Sequence, residues 1–510
     1  MTLKAIIILI FVLLDGFATR SEPNTDSVSD CRFVTESQKV CEIKSIYDLG
    51  GETWVFPEGS VLRFDGGVIK NGILIGNNTI IEAMPVEIFG EGLVFEGTWE
   101  ASVAYPEWFG AIPCAIEEAS IYADINRKAI QKCVDVFTHT LFANGDVNKH
   151  YYVAPENGKD HIINITKRGR IIEGLDVDRT VIETLNDVNN TRVLYFSEPT
   201  KGARASDCIV QNLKIQHQDP KNFSNTGIYI EYRCTGLRLM GIHLENLDYC
   251  VVCESWNEIL QRVKCYGNYG FVFKSKHGLR TSISLENCSI AYAKVGYTFS
   301  DLLYSRLSCC GADRCEKAFE LNNCTSIVFS ACGAEDNKCL MTVNSCNELS
   351  FNIDVILTKK VADEYAYSKA EFRKFCEIKG NSSYISFTNC TFNIHKPHSL
   401  EKYKDDDLAL ISVIRSYGNA PLVIYRECFG VLQETGTPVY NLICVDEWGG
   451  KYFERQSVIL ENSAFTSGSS SRRPCLSNLY IGYQYYDTTL NKPIWYKGNN
   501  VWVDAYGNYI

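Results

Sequence analysis

The sequence lacks an apolar run long enough to cross a membrane. Its longest apolar run extends from Ala5 to Leu14 and is followed by small and polar residues, whereas a membrane-spanning helix needs about 20 apolar residues. A short apolar run behind one lysine is typical of a secretory signal peptide. We therefore expect residues 1–20 to be the signal peptide and residues 21–45 a linker, with an uncleaved anchor as the alternative. The mature chain is then exported and has no integral membrane span.

Positive charge is also scarce. The chain has 50 Lys and Arg against 61 Asp and Glu, which gives a formal net charge of -11. Proteins that bind nucleic acid through its phosphates carry an excess of positive charge on the binding surface. The composition therefore argues against a nucleic-acid partner. It argues more weakly against polyanionic substrates, because a local basic groove can override the total.

The sequence does contain an apolar motif that is repeated about every 22 residues. The first series is spaced by 21, 22, 22, 22 and 22 residues: Ile242, Val263, Leu285, Leu307, Phe329 and Phe351. Two positions on, the same spacing gives Leu244, Cys265, Asn287, Cys309, Ala331 and Ile353. A third series is Ile230, Cys253, Phe273, Phe299, Leu321 and Val343. Two positions before it lie Ile228, Val251, Phe271, Tyr297, Phe319 and Met341.

This pattern predicts two strands in every repeat. Residues two apart lie on one face of a strand, and a fixed spacing places equivalent strands side by side in a parallel sheet. A leucine-rich repeat is excluded, because its Leu-x-x-Leu-x-Leu frame and helical half are missing, and the unit is too long for a hexapeptide repeat. The fold class we predict is all-β, a right-handed parallel β-helix that is stabilised by stacking of its coils.

The remaining segments complete the predicted organisation. Residues 46–104 alternate apolar residues with glycine-rich turns and predict a β-rich entry segment. The β-helix should span 105–466, with a helix near 124–137 that covers its open end. Residues 467–476 read as a flexible linker, and residues 477–510 as a small C-terminal β-hairpin tail.

The 22 cysteines give little sign of a metal site. The C-x-x-C motif that begins at Cys250 has no second pair at zinc spacing, so we expect neither a metal nor another cofactor. Disulfide scaffolds belong to small exported domains. Three cysteines occupy apolar repeat positions and should be small buried side chains: Cys253, Cys265 and Cys309. Cys31 and Cys41 form the pair in which a disulfide is most worth testing.

Several phrases resemble the entry segment of pectate-lyase-superfamily (pectin-lyase-like) β-helix proteins. They are Trp108-Phe109-Gly110-Ala111, Ala129-Ile130-Gln131-Lys132, Tyr151-Tyr152-Val153, Ile172-Glu173-Gly174 and Thr180-Val181-Ile182. The superfamily includes polygalacturonase-related glycoside hydrolases and phage tailspikes, and the glycine-rich segment is similar to that of exported Bacteroidetes β-helix proteins. One departure is Ile112-Pro113-Cys114-Ala115, where the family usually has Lys-Gly-Asp-Gly.

The resemblance implies a bacterial protein that is secreted, periplasmic or on the cell surface, and a polysaccharide partner bound along one long face. Hydrolases of this kind use two or three carboxylates from neighbouring coils. The aromatic C-terminal segment resembles the tail of phage tail proteins, which are usually trimeric. A monomer and a homotrimer therefore both stay open.

One pair of acids meets the geometric requirement by register. Cys310-Gly311-Ala312-Asp313 and Cys332-Gly333-Ala334-Glu335 are the same phrase 22 residues apart. Coils stack at about 4.8 Å, and like charges at that spacing separate the pKa values of an acid and a base. We predict catalytic roles for Asp313, Glu335 and the adjacent Asp336, with Arg314 as a substrate contact. An ordinary solvated edge, with Arg314 and Lys338 as ion-pair partners, is the alternative.

A second acidic cluster is predicted to bind substrate. Asp248, Glu254 and Glu258 lie near Trp256 in the sequence, so that an acid could lie beside an aromatic ring that stacks on a sugar. Surface acids and a packed tryptophan are the alternative reading.

Catalytic signatures that would fix the reaction are missing. No serine or cysteine nucleophile has a placed histidine, and Asn225-Thr226-Gly227-Ile228 lacks the Asp of the polygalacturonase motif. Lys276-His277-Gly278 differs from that family's Gly-His-Gly. The prediction is a glycoside hydrolase or polysaccharide lyase acting on a complex glycan. The alternatives are a non-catalytic glycan-binding adhesin and a tailspike-like receptor-binding protein of prophage origin.

Overall fold

The computed structural model describes residues 39–274, 278, 280–380, 382–403, 411–413, 423–426, 429–432, 458–461, 467–470, 473, 484–499 and 501–510. The predicted signal peptide, Cys31 and His277 lie outside the described residues. The predicted pair of Cys31 with Cys41 therefore stays a prediction. Within the described residues, no helix combines the length and apolarity needed to cross a membrane.

The N-terminal segment is built from short parallel strands. They are β1 (Val40–Ile43), β2 (Ile46–Asp48), β3 (Thr53–Val55), β4 (Val61–Phe64), β5 (Val68–Lys70), β6 (Gly72–Glu82) and β7 (Leu93–Glu100). Strands β1, β4, β6, β3 and β7 form one sheet, and β2 pairs with β5. Leu62 and Leu74 are fully buried in its core, against which Trp99 packs. Within the described residues, strands are thus present from Val40 onward, and the boundaries of the entry segment stay a prediction.

A single long helix follows, after two short 3-10 helices at Pro106–Phe109 and Ile116–Glu118. Helix α1 spans Ala119–Val136 and contains most of the predicted 124–137. Ala129 and Ile130 on its apolar face join the main core, whereas Cys133 joins the core of the N-terminal segment. The helix therefore links the two cores.

A parallel sheet of 27 described strands occupies most of the chain. The first third comprises β8 (His139–Phe142), β9 (Tyr151–Val153), β10 (His161–Ile165), β11 (Ile171–Gly174), β12 (Val181–Thr184), β13 (Arg192–Phe196), β14 (Ile209–His217), β15 (Thr226–Ile230) and β16 (Arg238–Cys253). The middle comprises β17 (Ile259–Phe273), β18 (Arg280–Thr281), β19 (Ser284–Glu286), β20 (Ser289–Ala291), β21 (Val295–Ser300), β22 (Leu302–Ser308), β23 (Gly311–Asp313), β24 (Lys317–Asn322) and β25 (Thr325–Glu335). The last third comprises β26 (Cys339–Asn344), β27 (Asn347–Leu357), β28 (Cys376–Lys379), β29 (Ser383–Thr388), β30 (Thr391–Ile394), β31 (Ile411–Val413), β32 (Val423–Arg426), β33 (Phe429–Leu432) and β34 (Val458–Glu461).

Three ladders of buried residues run through this sheet, so each coil has three strands and not the predicted two. The first ladder pairs Leu239, Leu260, Leu285, Leu307, Phe329, Phe351 and Phe387 in turn. The second pairs Leu244, Cys265, Ile290, Ala312, Ala334, Val355 and Phe392. The third pairs Ile228, Val251, Phe271, Tyr297, Phe319, Met341 and Cys376. This register is that of a parallel β-helix, and the prediction of a parallel β-helix is confirmed.

The predicted register is right in the third ladder and wrong in part of the others. Leu285 pairs with Leu260, 25 positions earlier, and not with Val263. Asn287 does not continue the second ladder, because Cys265 pairs with Ile290. The coil that starts within β17 is three residues longer than the 22-residue period. A prediction that keeps the period constant is therefore three residues out of register from that coil onward.

The slipped positions turn out to be corners. Asn287, Cys309 and Ala331 have φ values of 51°, 52° and 51°, in the left-handed region that lets a chain turn sharply. Cys309 is exposed there, which corrects the prediction that it is buried. Cys253 and Cys265 are buried as predicted.

Aromatic rings fill the interior between coils. Phe271 stacks on Tyr297 with ring centroids 4.9 Å apart, and Tyr297 on Phe319 at 5.2 Å. In the first ladder, Phe351 lies 4.7 Å from Phe329. Such pairs contribute about 0.5–1.5 kcal/mol beyond the area they bury, so stacking reinforces the backbone ladders.

Two short helices interrupt the last coils, and a separate small sheet ends the chain. Helix α2 spans Lys359–Glu364 and α3 spans Lys369–Arg373, with a 3-10 helix at His398–Leu400. The final strands are β35 (Ser467–Gly468), β36 (Gln484–Asp487), β37 (Lys492–Gly498) and β38 (Val501–Asp504). Strands β36, β37 and β38 pair antiparallel. Within the predicted linker at 467–476, residues 467 and 468 form β35, which pairs parallel with β36.

Candidate functional site

The predicted acid pair lies at one corner of the coil, which we call the acidic corner (Asp313, Arg314, Glu335 and Asp336). Asp313 and Glu335 end β23 and β25 and are direct partners in the ladder. Arg314 and Asp336 follow them with φ values of 52° and 55°, so the chain turns there. The structure therefore brings Asp313 and Glu335 together as predicted.

The charges of this pair affect one another. Both residues are exposed overall, but protein atoms around the Asp313 carboxyl displace part of its water and raise its pKa, and the Glu335 carboxylate raises it further. This is the direction expected when two like charges share a site. An exposed pair in water nevertheless feels a weak field, because solvent screens it.

Asp336 has a structural role at the acidic corner. Its side chain is buried, and Oδ1 accepts hydrogen bonds from the Thr358 backbone N–H at 2.7 Å and hydroxyl at 2.8 Å. Thr358 is the residue before helix α2, so Asp336 anchors the start of that helix. Arg314 approaches the same carboxylate, with Nε 3.9 Å from Oδ2. These contacts assign both residues a structural task at the corner.

The second predicted cluster does not assemble. Asp248 precedes the last segment of β16 and Glu254 follows it, and six residues of extended chain span roughly 20 Å. Asp248 instead accepts a hydrogen bond from Asn268 Nδ2 at 2.8 Å. Glu258 is fully buried, burial raises its pKa well above the ordinary value, and its Oε2 accepts the Leu237 N–H.

Glu254 and Trp256 belong to a different group, which we call the tyrosine face. It lies on the outer side of the third ladder and is formed by Arg192, Tyr195, Tyr229, Glu231, Tyr232, Glu254 and Trp256. Strands β13 and β15 share a pattern in which the first and fourth residues face outward and the others are buried. This pattern places Tyr195 beside Tyr229 in register.

Two tyrosine–glutamate pairs repeat along this face. The Tyr229 hydroxyl donates to Glu254 Oε1 at 2.7 Å, and Tyr195 lies close enough to Glu231 that burial, together with this carboxylate, raises the pKa of the tyrosine. In each pair the tyrosine lies on one coil and the glutamate on the next. The same arrangement of a tyrosine and a glutamate therefore occurs twice, one coil apart.

The two glutamates are themselves stacked. The Glu254 N–H donates to the Ile230 carbonyl at 2.9 Å, and the Glu231 N–H to the Phe196 carbonyl at 3.0 Å. They occupy equivalent positions just beyond adjacent strands, whose spacing is about 4.8 Å. Glu254 is buried and Glu231 half-buried. The two acids thus lie one coil apart at the same position of the tyrosine face.

The tyrosines remain hydroxyl donors over the physiological range. Burial and the neighbouring Glu231 raise the pKa of Tyr195 to about 12. Burial and the hydrogen bond to Glu254 raise the pKa of Tyr229 still further. Both hydroxyls therefore keep their protons, and the Tyr229 hydroxyl holds the Glu254 carboxylate in place.

A cation and two more rings complete the face. The Arg192 guanidinium lies 4.7 Å from the Tyr195 ring centre and 4.3 Å from that of Tyr229. Further along, the half-buried Trp256 ring lies 5.8 Å from Tyr232. Aromatic rings offer apolar area with a polar edge, and carboxylates accept hydrogen bonds from hydroxyl groups. This combination suits a ligand with both C–H faces and hydroxyls.

The acidic corner and the tyrosine face are separate sites. Cys253, next to Glu254, reaches Leu321 of the acidic-corner coil through three steps of the ladder, or about 14 Å along the axis. Within a coil, the acidic corner lies before the strand of the third ladder, whereas Glu254 lies after it. No single ring of a sugar can contact both.

Sequence reasoning named Glu254 and Trp256 but missed Arg192, Tyr195, Tyr229 and Glu231. The signal was present, because Glu231 and Glu254 each follow a member of the third series, Ile230 and Cys253. Reading one position beyond that series would have paired them. Among the described residues, no group of three or more His, Cys, Asp or Glu side chains is arranged to hold a metal ion.

Comparison with known proteins shows that the fold of this chain is similar to several solved structures. No family model matches the chain, and no curated protein matches it. A tailspike of Acinetobacter phage vb_AbaP_AS12 is 12% identical with a TM-score of 0.48, over 80% of this chain and 77% of that one. Tailspike protein 3 of bacteriophage CBA120 is 13% identical with a TM-score of 0.39, over 80% and 70%.

A third similar structure is the A-module of a mannuronan C-5 epimerase from Azotobacter vinelandii. It is 10% identical with a TM-score of 0.36, over 64% of this chain and 99% of that one. The strand register of this chain, and not these similarities, identifies the parallel β-helix.

Proposed function

We propose that this protein is an exported carbohydrate-active protein that binds a glycan along the tyrosine face and hydrolyses it. The observation that carries the proposal is the pair Glu231 and Glu254 at equivalent positions on adjacent coils, each beside a tyrosine of the preceding coil, with Glu254 hydrogen-bonded to its tyrosine. Glycoside hydrolysis needs one carboxyl group that protonates the leaving oxygen and a second that acts as nucleophile or base. Neighbouring coils supply two.

The surroundings of the pair support a sugar ligand. Trp256 and Tyr232 offer ring faces beside the carboxylates, and Arg192 offers a cation held against Tyr195 and Tyr229. Carboxyl groups about 5–5.5 Å apart favour retention of configuration, and a separation that starts from the strand spacing is closer to this value than to that of an inverting enzyme. We therefore propose a retaining hydrolase.

A non-catalytic glycan-binding protein is the second candidate. It is favoured because both carboxylates already accept hydrogen bonds from groups of the fold: Glu254 from Tyr229, and Glu231 Oε2 from the Glu198 N–H at 3.1 Å. Groups tied in this way can position a ligand without transferring a proton. The proposal also includes export by the N-terminal signal peptide and a capping role for α1. A sedimentation measurement on the purified chain would distinguish a monomer from a tailspike-like trimer.

The test is product release from a panel of plant, host and bacterial polysaccharides by the purified exported chain. Hydrolysis should yield new reducing ends without ultraviolet absorbance from unsaturated sugars, and Glu254→Gln should abolish it. Unsaturated products would replace the hydrolase with a lyase. Binding to one glycan with no product from any would establish the non-catalytic alternative.

A further inference from the structure

A pocket lies at one end of the tyrosine face, in the angle between α1 and β10. Its volume is about 280 Å³. Pockets for drug-sized ligands are about 300–1,000 Å³, so this one has room for a single small ring and not for a chain. The charged and polar residues that line it include Arg127, Gln131, Asp135, Glu156, Lys159 and His161.

The position of the pocket makes it the end of a row. Asn164 on β10 is the register partner of Tyr195, which pairs in turn with Tyr229. The His161 ring also lies 5.4 Å from the ring of Tyr195. The outward residues of β10 therefore continue the tyrosine face by one coil and lead into the pocket.

Helix α1 closes this end. The Gln131 side chain accepts a hydrogen bond from the Asn164 N–H at 2.8 Å and donates one to its carbonyl at 2.9 Å. These are the two bonds that a neighbouring strand would make, so the helix stands where a further coil would lie. A ligand that follows the tyrosine face in this direction meets the helix and stops.

The charges in the pocket are balanced. Arg127 and Lys159 are cationic, Asp135 and Glu156 are acidic, and His161 pairs with Asp160 at 3.0 Å. A site for a free anion or cation needs an excess of one sign. Closely placed donors and acceptors of both signs instead suit adjacent hydroxyl groups, which donate and accept at once.

One donor in this set is unused. Arg127 Nη2 binds Asp124 Oδ1 at 2.6 Å, whereas Arg127 Nε is buried and has no acceptor among the described protein atoms. Burying a guanidinium N–H without an acceptor is costly. Arg127 lines the pocket, so its guanidinium donors lie close to a ligand oxygen bound there.

We propose that this pocket binds the terminal, uncharged monosaccharide of the glycan, so that the protein recognises chain ends. The inference rests on the proposed function, because the tyrosine face is what brings the chain to the pocket. The pocket holds the last ring, α1 prevents the chain from extending further, and the remaining rings lie along Tyr195, Tyr229 and Trp256.

The first experiment uses free monosaccharides and the full exported chain. Saturation-transfer NMR is recorded with glucose, galactose, mannose, fucose, rhamnose and N-acetylglucosamine, and with glucuronate and galacturonate as charged probes. We expect transfer to at least one neutral sugar. Transfer only to charged probes, or to none of the sugars, would overturn the proposal.

The second step locates that binding with variants. Lys159→Gln, at an exposed side chain that is safe for folding, and Arg127→Gln should each weaken the neutral sugar at least tenfold. Arg168→Gln is the matched control, because Arg168 is exposed and pairs with Asp207 away from the pocket. Unchanged binding in both pocket variants would place the sugar elsewhere and sink the proposal.

A third measurement separates this inference from the proposed function. Trp256→Ala should weaken a long glycan and leave the monosaccharide unaffected. Monosaccharide binding without any binding of long glycans would refute the proposed function while leaving the pocket a sugar site. If hydrolysis occurs, one small product of fixed size should appear from the first time point. A broad mixture of sizes at early times would refute chain-end recognition alone.

Discussion

The acidic corner and the tyrosine face are built by the same rule and have different surroundings. Each has two carboxylates at equivalent positions on adjacent coils. At the acidic corner, Asp313 and Glu335 are exposed. On the tyrosine face, Glu254 is buried and accepts a hydrogen bond from Tyr229, Glu231 is half-buried near Tyr195, and aromatic rings lie beside both. Register alone therefore makes acid pairs, and the neighbours decide whether a pair has a chemical use.

The difference follows from where each pair sits in the coil. Corners are turned by residues with positive φ such as Arg314 and Asp336, and their side chains are directed to water or to local backbone groups. Glu231 and Glu254 also lie at strand ends, but the outward-facing Tyr195 and Tyr229 of neighbouring strands form a row beside them on successive coils. A glycan needs such a row.

The largest effect should separate the two acid pairs in catalysis. Glu254→Gln and Glu231→Gln should each lower the rate of glycan hydrolysis at least about 100-fold, because general acid–base groups contribute roughly 10²–10⁴-fold. Asp313→Asn and Glu335→Gln should change it less than about twofold. Initial rates of reducing-end release would measure both.

Thermal unfolding of all four variants serves as the control, since a folding defect would mimic a catalytic one. Glutamine keeps the size of glutamate and can still accept a hydrogen bond from tyrosine. If Asp313→Asn or Glu335→Gln is the variant that loses activity, the acidic corner is the catalytic site after all.

The second effect concerns the free energy of unfolding, and it should be found at the acidic corner. Asp336→Ala removes the acceptor of two Thr358 donors, and unsatisfied buried donors cost about 1–3 kcal/mol. Urea unfolding should show a loss of that size. Asp313→Ala, at an exposed position, is the matched control and should stay within about 0.5 kcal/mol. Equal losses would mean that Asp336 is not an anchor.

How much of this could be read from the sequence depends on how regular the coil is. The third ladder was predictable from Ile228 to Met341 because its spacing reflects buried side chains facing the core at every turn. The first two ladders slipped at β17, where the extra length lies in turns whose composition has no period. Periodicity reports strands and carries no information on the length of the loops between them.

The candidate site shows the same limit. Asp313 and Glu335 were found because their whole phrase repeats, whereas the residues around Glu231 and Glu254 share only the buried position before each acid. Grouping Asp248 with Trp256 failed for the opposite reason. Residues eight apart are close in a helix or turn, but an extended strand separates them.

A smaller effect should appear in glycan affinity. Trp256→Ala removes a half-buried ring beside Tyr232 and should weaken binding of the long glycan about tenfold, or 1.4 kcal/mol. Tyr292→Ala removes an exposed ring near Arg314 at the acidic corner and should change binding less than twofold. Calorimetric titration of both variants tests this, and equal losses would remove the distinction between the two regions.

The smallest effect is electrostatic and has the same origin in both regions. The Glu335 carboxylate contributes to the raised pKa of Asp313, as Glu254 does to that of Tyr229. Glu335→Gln should therefore lower the pKa of Asp313, and Glu254→Gln that of Tyr229. Carbon-13 NMR titration of the aspartate carboxyl and tyrosine ring carbons would follow each group.

The sign of the accompanying stability change follows from proton binding. With its pKa raised above the ordinary 3.8, folded Asp313 holds more protons than the unfolded chain in the range just above that value. Its contribution to stability therefore declines as pH rises through this range. Glu335→Gln should reduce the decline. Because both groups are exposed and screened, the change should be small and should shrink at high salt, and a salt-independent shift would point to burial as its cause.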